Sequence, residues 1–138
     1  MVEILWELPV APTSLFHDVE FAVLTGRQCK LTFSFEGKDD EHMASVSLVF
    51  EGVEAFKCTY LSSCNRTMAN QAYGMLVDLG NTPWLSEALP FYQKFRRAYG
   101  RDLERLRHLM IYFDDGPCYE FLCIGFTCSS TRESYPTN

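Results

Sequence analysis

Two apolar runs near the C-terminus constrain this chain more than anything else in it. Residues 106–113 (LRHLMIYF) and 118–128 (CYEFLCIGFTC) are separated only by Asp114-Asp115-Gly116-Pro117. An Asp-Gly pair between apolar runs favours a tight turn, because glycine accepts positive φ and aspartate bonds its own backbone. Neither run alternates cleanly between polar and apolar residues. Both faces therefore need cover, and the hairpin belongs inside a sheet with layers above and below. The expected fold class is α+β: an antiparallel sheet of about six to seven strands, made of an N-terminal meander plus this C-terminal hairpin, with two or three helices inserted before the hairpin.

The meander is read from alternation. Ile4, Trp6 and Leu8 give a first strand ended by Pro9, and residues 18–24 a second. Cys29, Leu31, Phe33 and Phe35 point one way while Lys30, Thr32, Ser34 and Glu36 point the other, the pattern of a half-buried strand. Ala44, Val46, Leu48 and Phe50 repeat it, Gly52 interrupts, and Phe56, Cys58 and Tyr60 begin a fifth strand. Short polar turns between them imply pairing of sequential neighbours.

After Asn65 the period changes. Met68, Ala72, Met75, Leu76 and Leu79 follow a helical stripe, with Ser63 or Asn65 as cap and Gly80-Asn81 as its end. Thr82 caps and Pro83 opens a second helix, which Pro90 is expected to divide into pieces over 83–89 and 90–99. Residues 1–128 are expected to form one domain, and 129–138 a polar, frayed tail.

Twelve basic against eighteen acidic residues give a net charge of -6. That balance disfavours general nucleic-acid binding. No stretch resembles a signal peptide or a membrane span, so a cytoplasmic location without membrane association is expected. In such a compartment the six cysteines are expected as free thiols, mostly buried in strands. No cofactor is implied, since glycine-rich phosphate loops and nucleophile elbows are missing from the sequence. No metal site is expected either. His17, His42 and His108 lack a two-histidine helical spacing, and Cys118, Cys123 and Cys128 stand five apart rather than as Cys-x-x-Cys.

Two constellations stand out. With Asp115-Gly116 as a two-residue turn, Phe113 would pair with Cys118, Ile111 with Glu120 and His108 with Cys123. Glu120 then lies among Leu109, Ile111, Leu122 and Ile124, where a carboxylate must pair, protonate or border a cleft. Glu120, His108 and Cys123 are thus the candidate catalytic residues, the last two as a thiol–imidazole pair. A core histidine beside a core cysteine is the competing explanation; for Asp114 and Asp115, which with Glu120 offer a metal or acid/base site, it is turn chemistry. The second constellation is basic and aromatic. Trp84, Tyr92, Arg96, Arg97 and Arg101 are the candidate partner-binding residues, because arginine and aromatics concentrate in binding hot spots. A solvated helix face is the bland alternative.

The expected function is a small soluble, non-enzymatic binding or accessory protein engaging a protein partner. In size and charge the chain resembles the small acidic immunity and antitoxin proteins of bacteria, a likeness that carries over no residues. The alternatives are an enzyme or small-ligand binder with a pocket around Glu120 and His108, and a homodimeric structural protein whose self-association is its role.

Overall fold

The computed structural model describes residues 2–15, 19–36, 42–114 and 117–134. Among them are nine strands in two antiparallel sheets, with two α-helices. The hairpin strands β7 (Arg107–Tyr112) and β8 (Cys118–Cys123) are buried along almost their whole length, β8 at every residue. They sit inside a five-stranded sheet. β1 (Glu3–Glu7) and β6 (Met75–Asp78) lie on one side and β5 (Ala55–Thr59) on the other, in the order β1-β6-β7-β8-β5. The doubly apolar sequence thus has the central position it requires.

The second sheet runs β2 (Glu20–Leu24), β3 (Gln28–Glu36), β4 (His42–Glu51), β9 (Gly125–Ser134). Its alternation is faithful to the sequence. Cys29, Leu31, Phe33, Val46, Leu48 and Phe50 are buried, and their cluster includes Leu109, Ile111, Phe113, Tyr119, Phe121 and Cys123 of the first sheet and its turn. Phe50 and Phe121 stack at 3.9 Å between ring centroids, joining the two sheets. Burial of each such side chain stabilises by roughly 1.5–3 kcal/mol.

One continuous meander is not what forms. β2, β3 and β4 pair in sequence, but β5 pairs with β8 and β1 with β6. The switch occurs where two connections bend together. β4 pairs with β9 up to Glu51–Gly125, and β5 with β8 from Ala55–Leu122. Glu54 N–H donates to Leu122 O and Ile124 N–H to Glu51 O across the bend. Gly52, at φ +62°, makes the corner, which is how strands commonly change sheets.

The opposite face of the first sheet is covered by helices α1 (Arg66–Ala72) and α2 (Pro83–Ala98). Asn65 caps α1 by accepting from Met68 N–H at 3.0 Å. The expected longer helix stops at Ala72, and Met75–Asp78 is a strand instead. Gly74 takes φ +66° and donates to Tyr112 O, which turns the chain into the sheet. A run of apolar residues suits a strand buried on both faces as well as it suits a helix stripe.

α2 is continuous through Pro90, contrary to the expected division. Pro90 and Ser86, whose carbonyl loses its usual donor, are both exposed, so the lost bond costs less than it would in the core. The helix ends in a Schellman turn at Gly100, with Gly100 N–H donating to Arg97 O and Arg101 N–H to Arg96 O. Residues 129–134, expected to fray, continue β9 alongside β4.

Candidate functional site

The hairpin register differs by one residue from the expected one. Tyr112 opposes Cys118, Met110 opposes Glu120 and His108 opposes Leu122. The connection therefore spans residues 113–117, closed by Phe113 N–H donating to Pro117 O at 3.3 Å. The proposed two-residue turn falls on Asp115 and Gly116, outside the described residues. A one-residue slip moves side chains to the other face, and here that decides the chemistry. Glu120 lies on the helix-covered face with His108, Met110, Tyr112, Cys118 and Leu122, not with Leu109 and Ile111. Cys123 lies on the face toward the second sheet, opposite Arg107.

The thiol–imidazole pair is thereby dissolved. Burial pushes the Cys123 thiol up to about 12 and raises Cys118 as well. A thiol held protonated makes a poor nucleophile. All six cysteines are free. Cys29, Cys118 and Cys123 are buried, while Cys58 and Cys128 are exposed, because each stands on an edge strand.

In place of that pair the structure brings Glu120 and His108 together. His108 Nε2 is 2.9 Å from Glu120 Oε1, and both residues are buried. On the other side of the ring, His108 Nδ1 is 2.7 Å from Thr82 Oγ1. A carboxylate only accepts, so Nε2 carries the proton, and in the neutral ring Nδ1 accepts from the Thr82 hydroxyl. Thr82 Oγ1 in turn accepts from Leu85 N–H at 3.3 Å, the N-cap of α2. Trp84 closes over the ring edge-on at 5.0 Å, and Lys57 Nζ lies 4.0 Å from the Trp84 ring centroid. The buried carboxylate has found its partner, as desolvation demands.

Beside this chain, Arg107 Nε donates to Asp78 Oδ2 at 2.9 Å, and Asp78 Oδ1 accepts from Gly80 N–H at 2.8 Å. Asp78, Asn81, Leu85, Tyr92 and Arg107 help line a cavity of about 260 Å³ under α2. Neither His108 nor Glu120 lines it, nor do they line the cavities of about 290 and 170 Å³ near Arg27. Among the described residues no group of three or more His, Cys, Asp or Glu side chains gathers as a metal site needs.

The candidate partner-binding residues divide between two environments. Tyr92 is buried, with its hydroxyl donating to Glu104 O at 2.9 Å. Arg96 lies over the Tyr92 ring, donates to Asp102 O and pairs with Glu104, so it braces the turn after α2. Trp84 is half-buried against His108. Arg97 and Arg101 are exposed. Beside them lies the aromatic surface of the Phe91 to Tyr99 segment, which the sequence offered as an aromatic-studded basic stretch and as a possible self-association face. Phe91, Phe95 and Tyr99 are 77, 50 and 68% exposed, and Phe95 and Tyr99 rings lie 4.7 Å apart. Their spacing at i, i+4 and i+8 marks one helix face and was available as a signal. Thr82 was visible only as a cap, because its second role depends on a strand distant in sequence.

No protein-family model, no curated protein and no solved structure matches this chain. Among the described residues no helix is long and apolar enough to cross a membrane.

Proposed function

We propose that this is a small, non-enzymatic cytoplasmic binding protein that engages a protein partner through the exposed face of α2. The observation that carries this reading is the aromatic row Phe91, Phe95 and Tyr99, left largely in water on one helix. Large apolar side chains grouped on a surface cost solubility, and a partner that covers them offsets that cost. Lys94, Arg97 and Arg101 are exposed next to the row. On a protein of net charge -6 this basic patch steers an acidic, apolar-bearing segment toward the helix. The geometry suits a helix-on-helix or helix-in-groove contact anchored at every fourth residue.

The test is affinity capture from the cells of origin with three baits: the native chain, Phe91→Ala/Phe95→Ala, and Arg97→Glu/Arg101→Glu. A partner held by the native chain, lost with the aromatic pair and weakened with the charge reversal, supports the reading. A partner held equally by all three contradicts it.

The Thr82–His108–Glu120 chain favours a second reading, an enzyme or small-ligand site. A hydroxyl, an imidazole and a carboxylate in series is the order used to activate an alcohol nucleophile. It ranks second because His108 and Glu120 are buried and their facing polar atoms are already bonded to one another and to Thr82. Labelling of Thr82 by an alcohol-directed fluorophosphonate, abolished in His108→Gln, would raise it above the first.

A further inference from the structure

We infer that the protein self-associates through β9, two copies pairing edge to edge so that their β2-β3-β4-β9 sheets become one continuous sheet. This is independent of the α2 reading. Four strands end the two sheets, and three of them carry the devices that discourage pairing. β1 and β5 are five residues long and bear Glu3, Glu7 and Lys57, and β2 is equally short. Short edges and charges, lysine above all, are how sheets avoid adding strands.

β9 has neither device over most of its length. It runs ten residues, and residues 125–131 (GFTCSST) contain no charge and no proline. Thr127 through Thr131 are exposed. Among the described residues nothing pairs with its outer edge. Such an edge offers a row of unpaired N–H and C=O groups to any extended strand.

A second copy fits this edge specifically. A two-fold axis at Ser129 sets residues 125–133 against themselves antiparallel, which uses nearly the whole strand. On the outer face that register places Ser129 against Ser129 of the second copy and Thr127 against Thr131. It extends a pattern already present. Thr32, Ser47 and Ser129 lie in one cross-strand row, with Thr32 Oγ1 and Ser47 Oγ 3.4 Å apart, and Ser34, Ser45 and Thr131 lie in the next. Hydroxyl pairs of this kind favour strand pairing. No like charges meet. Arg132 would oppose Phe126 of the second copy and Glu133 would oppose Gly125. The contact is isologous and closes on itself, so it gives a dimer rather than a fibre.

The test is sedimentation equilibrium of the full chain beside two variants. The native chain is expected to be dimeric. Ser129→Lys, at an exposed position that should leave the fold intact, sets like charges opposite and should weaken association roughly tenfold or more. Ser129→Cys on a Cys128→Ser background should form a disulfide between the two copies of residue 129 under mild oxidation. A native chain that stays monomeric at the highest concentration reached overturns the inference. So does a dimer that Ser129→Lys leaves unchanged and that yields no 129–129 crosslink.

Discussion

His108 and Glu120 meet on the diagonal of the central strand pair, Nε2 to Oε1 at 2.9 Å, although their directly opposed residues are Leu122 and Met110. Diagonal contact lets both polar ends lie under α2 while Met110 and Leu122 fill the space beside them.

Removing one member of this pair leaves the other buried and unsatisfied. His108→Ala strands a buried carboxylate and should lower the unfolding free energy by about 3–5 kcal/mol, whereas Glu120→Ala strands only a ring N–H and should cost about 1–3 kcal/mol. Replacing both, as His108→Leu/Glu120→Met, should cost far less than the sum of the single losses. Urea denaturation in a double-mutant cycle measures this. Additive losses would mean that the two side chains do not interact.

Thr82 serves two partners, so its replacement should exceed an ordinary cap loss. Thr82→Ala is expected to cost about 2 kcal/mol, the upper end for an N-cap. Thr82→Ser keeps the hydroxyl and should cost little. Equal melting midpoints for the Ala and Ser variants would contradict the double role.

Gly74 separates helix from strand at φ +66°, and a Cβ there would stand 2.7 Å from Pro12 Cγ. Gly26, at φ +74°, has nothing within 4 Å of such an atom. Both alanine variants bear the cost of left-handed backbone, about 1 kcal/mol. Gly74→Ala should lose more, through the added clash. Thermal melts that rank Gly26→Ala as the worse variant would contradict the packing at Pro12.

Cys123 ionises near 12 in the folded protein, above the ordinary thiol value of 9.0, because burial penalises the thiolate. The unfolded chain then releases this proton at lower pH than the folded one. Stability should be unaffected below about pH 9.0, the ordinary thiol value, and fall as pH rises toward 12, by about 1.4 kcal/mol per pH unit from this thiol. Comparing the alkaline stability of Cys123→Ala with that of the native chain isolates the contribution. A thiol reagent should modify Cys58 and Cys128 in the native state and leave Cys29, Cys118 and Cys123 until unfolding. Fast modification of Cys123 would contradict its burial.

What the sequence made legible follows from the range of the signal. Alternation in β3 and β4, and double burial of β7 and β8, are properties of single strands, and both were read correctly. Glu120 was read as a carboxylate among Leu109 and Ile111 that must pair, protonate or border a cleft; the one-residue difference in register puts it on the other face, where His108 is its partner. The change of sheet at Gly52 rests on pairings with β8 and β9, about seventy residues away in sequence. No local pattern reports those. β6 was misread because four apolar-rich residues satisfy helix and strand periods equally, and the left-handed Gly74 that decides between them is a tertiary feature. Continuity of α2 through Pro90 depended on which side of the helix faces water.

The account rests on the β7–β8 ribbon as the buried partition between the second sheet and the helices. Native-state amide hydrogen exchange measured residue by residue tests this most directly. The slowest amides should be those of Arg107–Tyr112 and Cys118–Cys123, exchanging only through global unfolding, while β2 exchanges much faster. Fast exchange in β7 and β8 with the slowest amides elsewhere would contradict it.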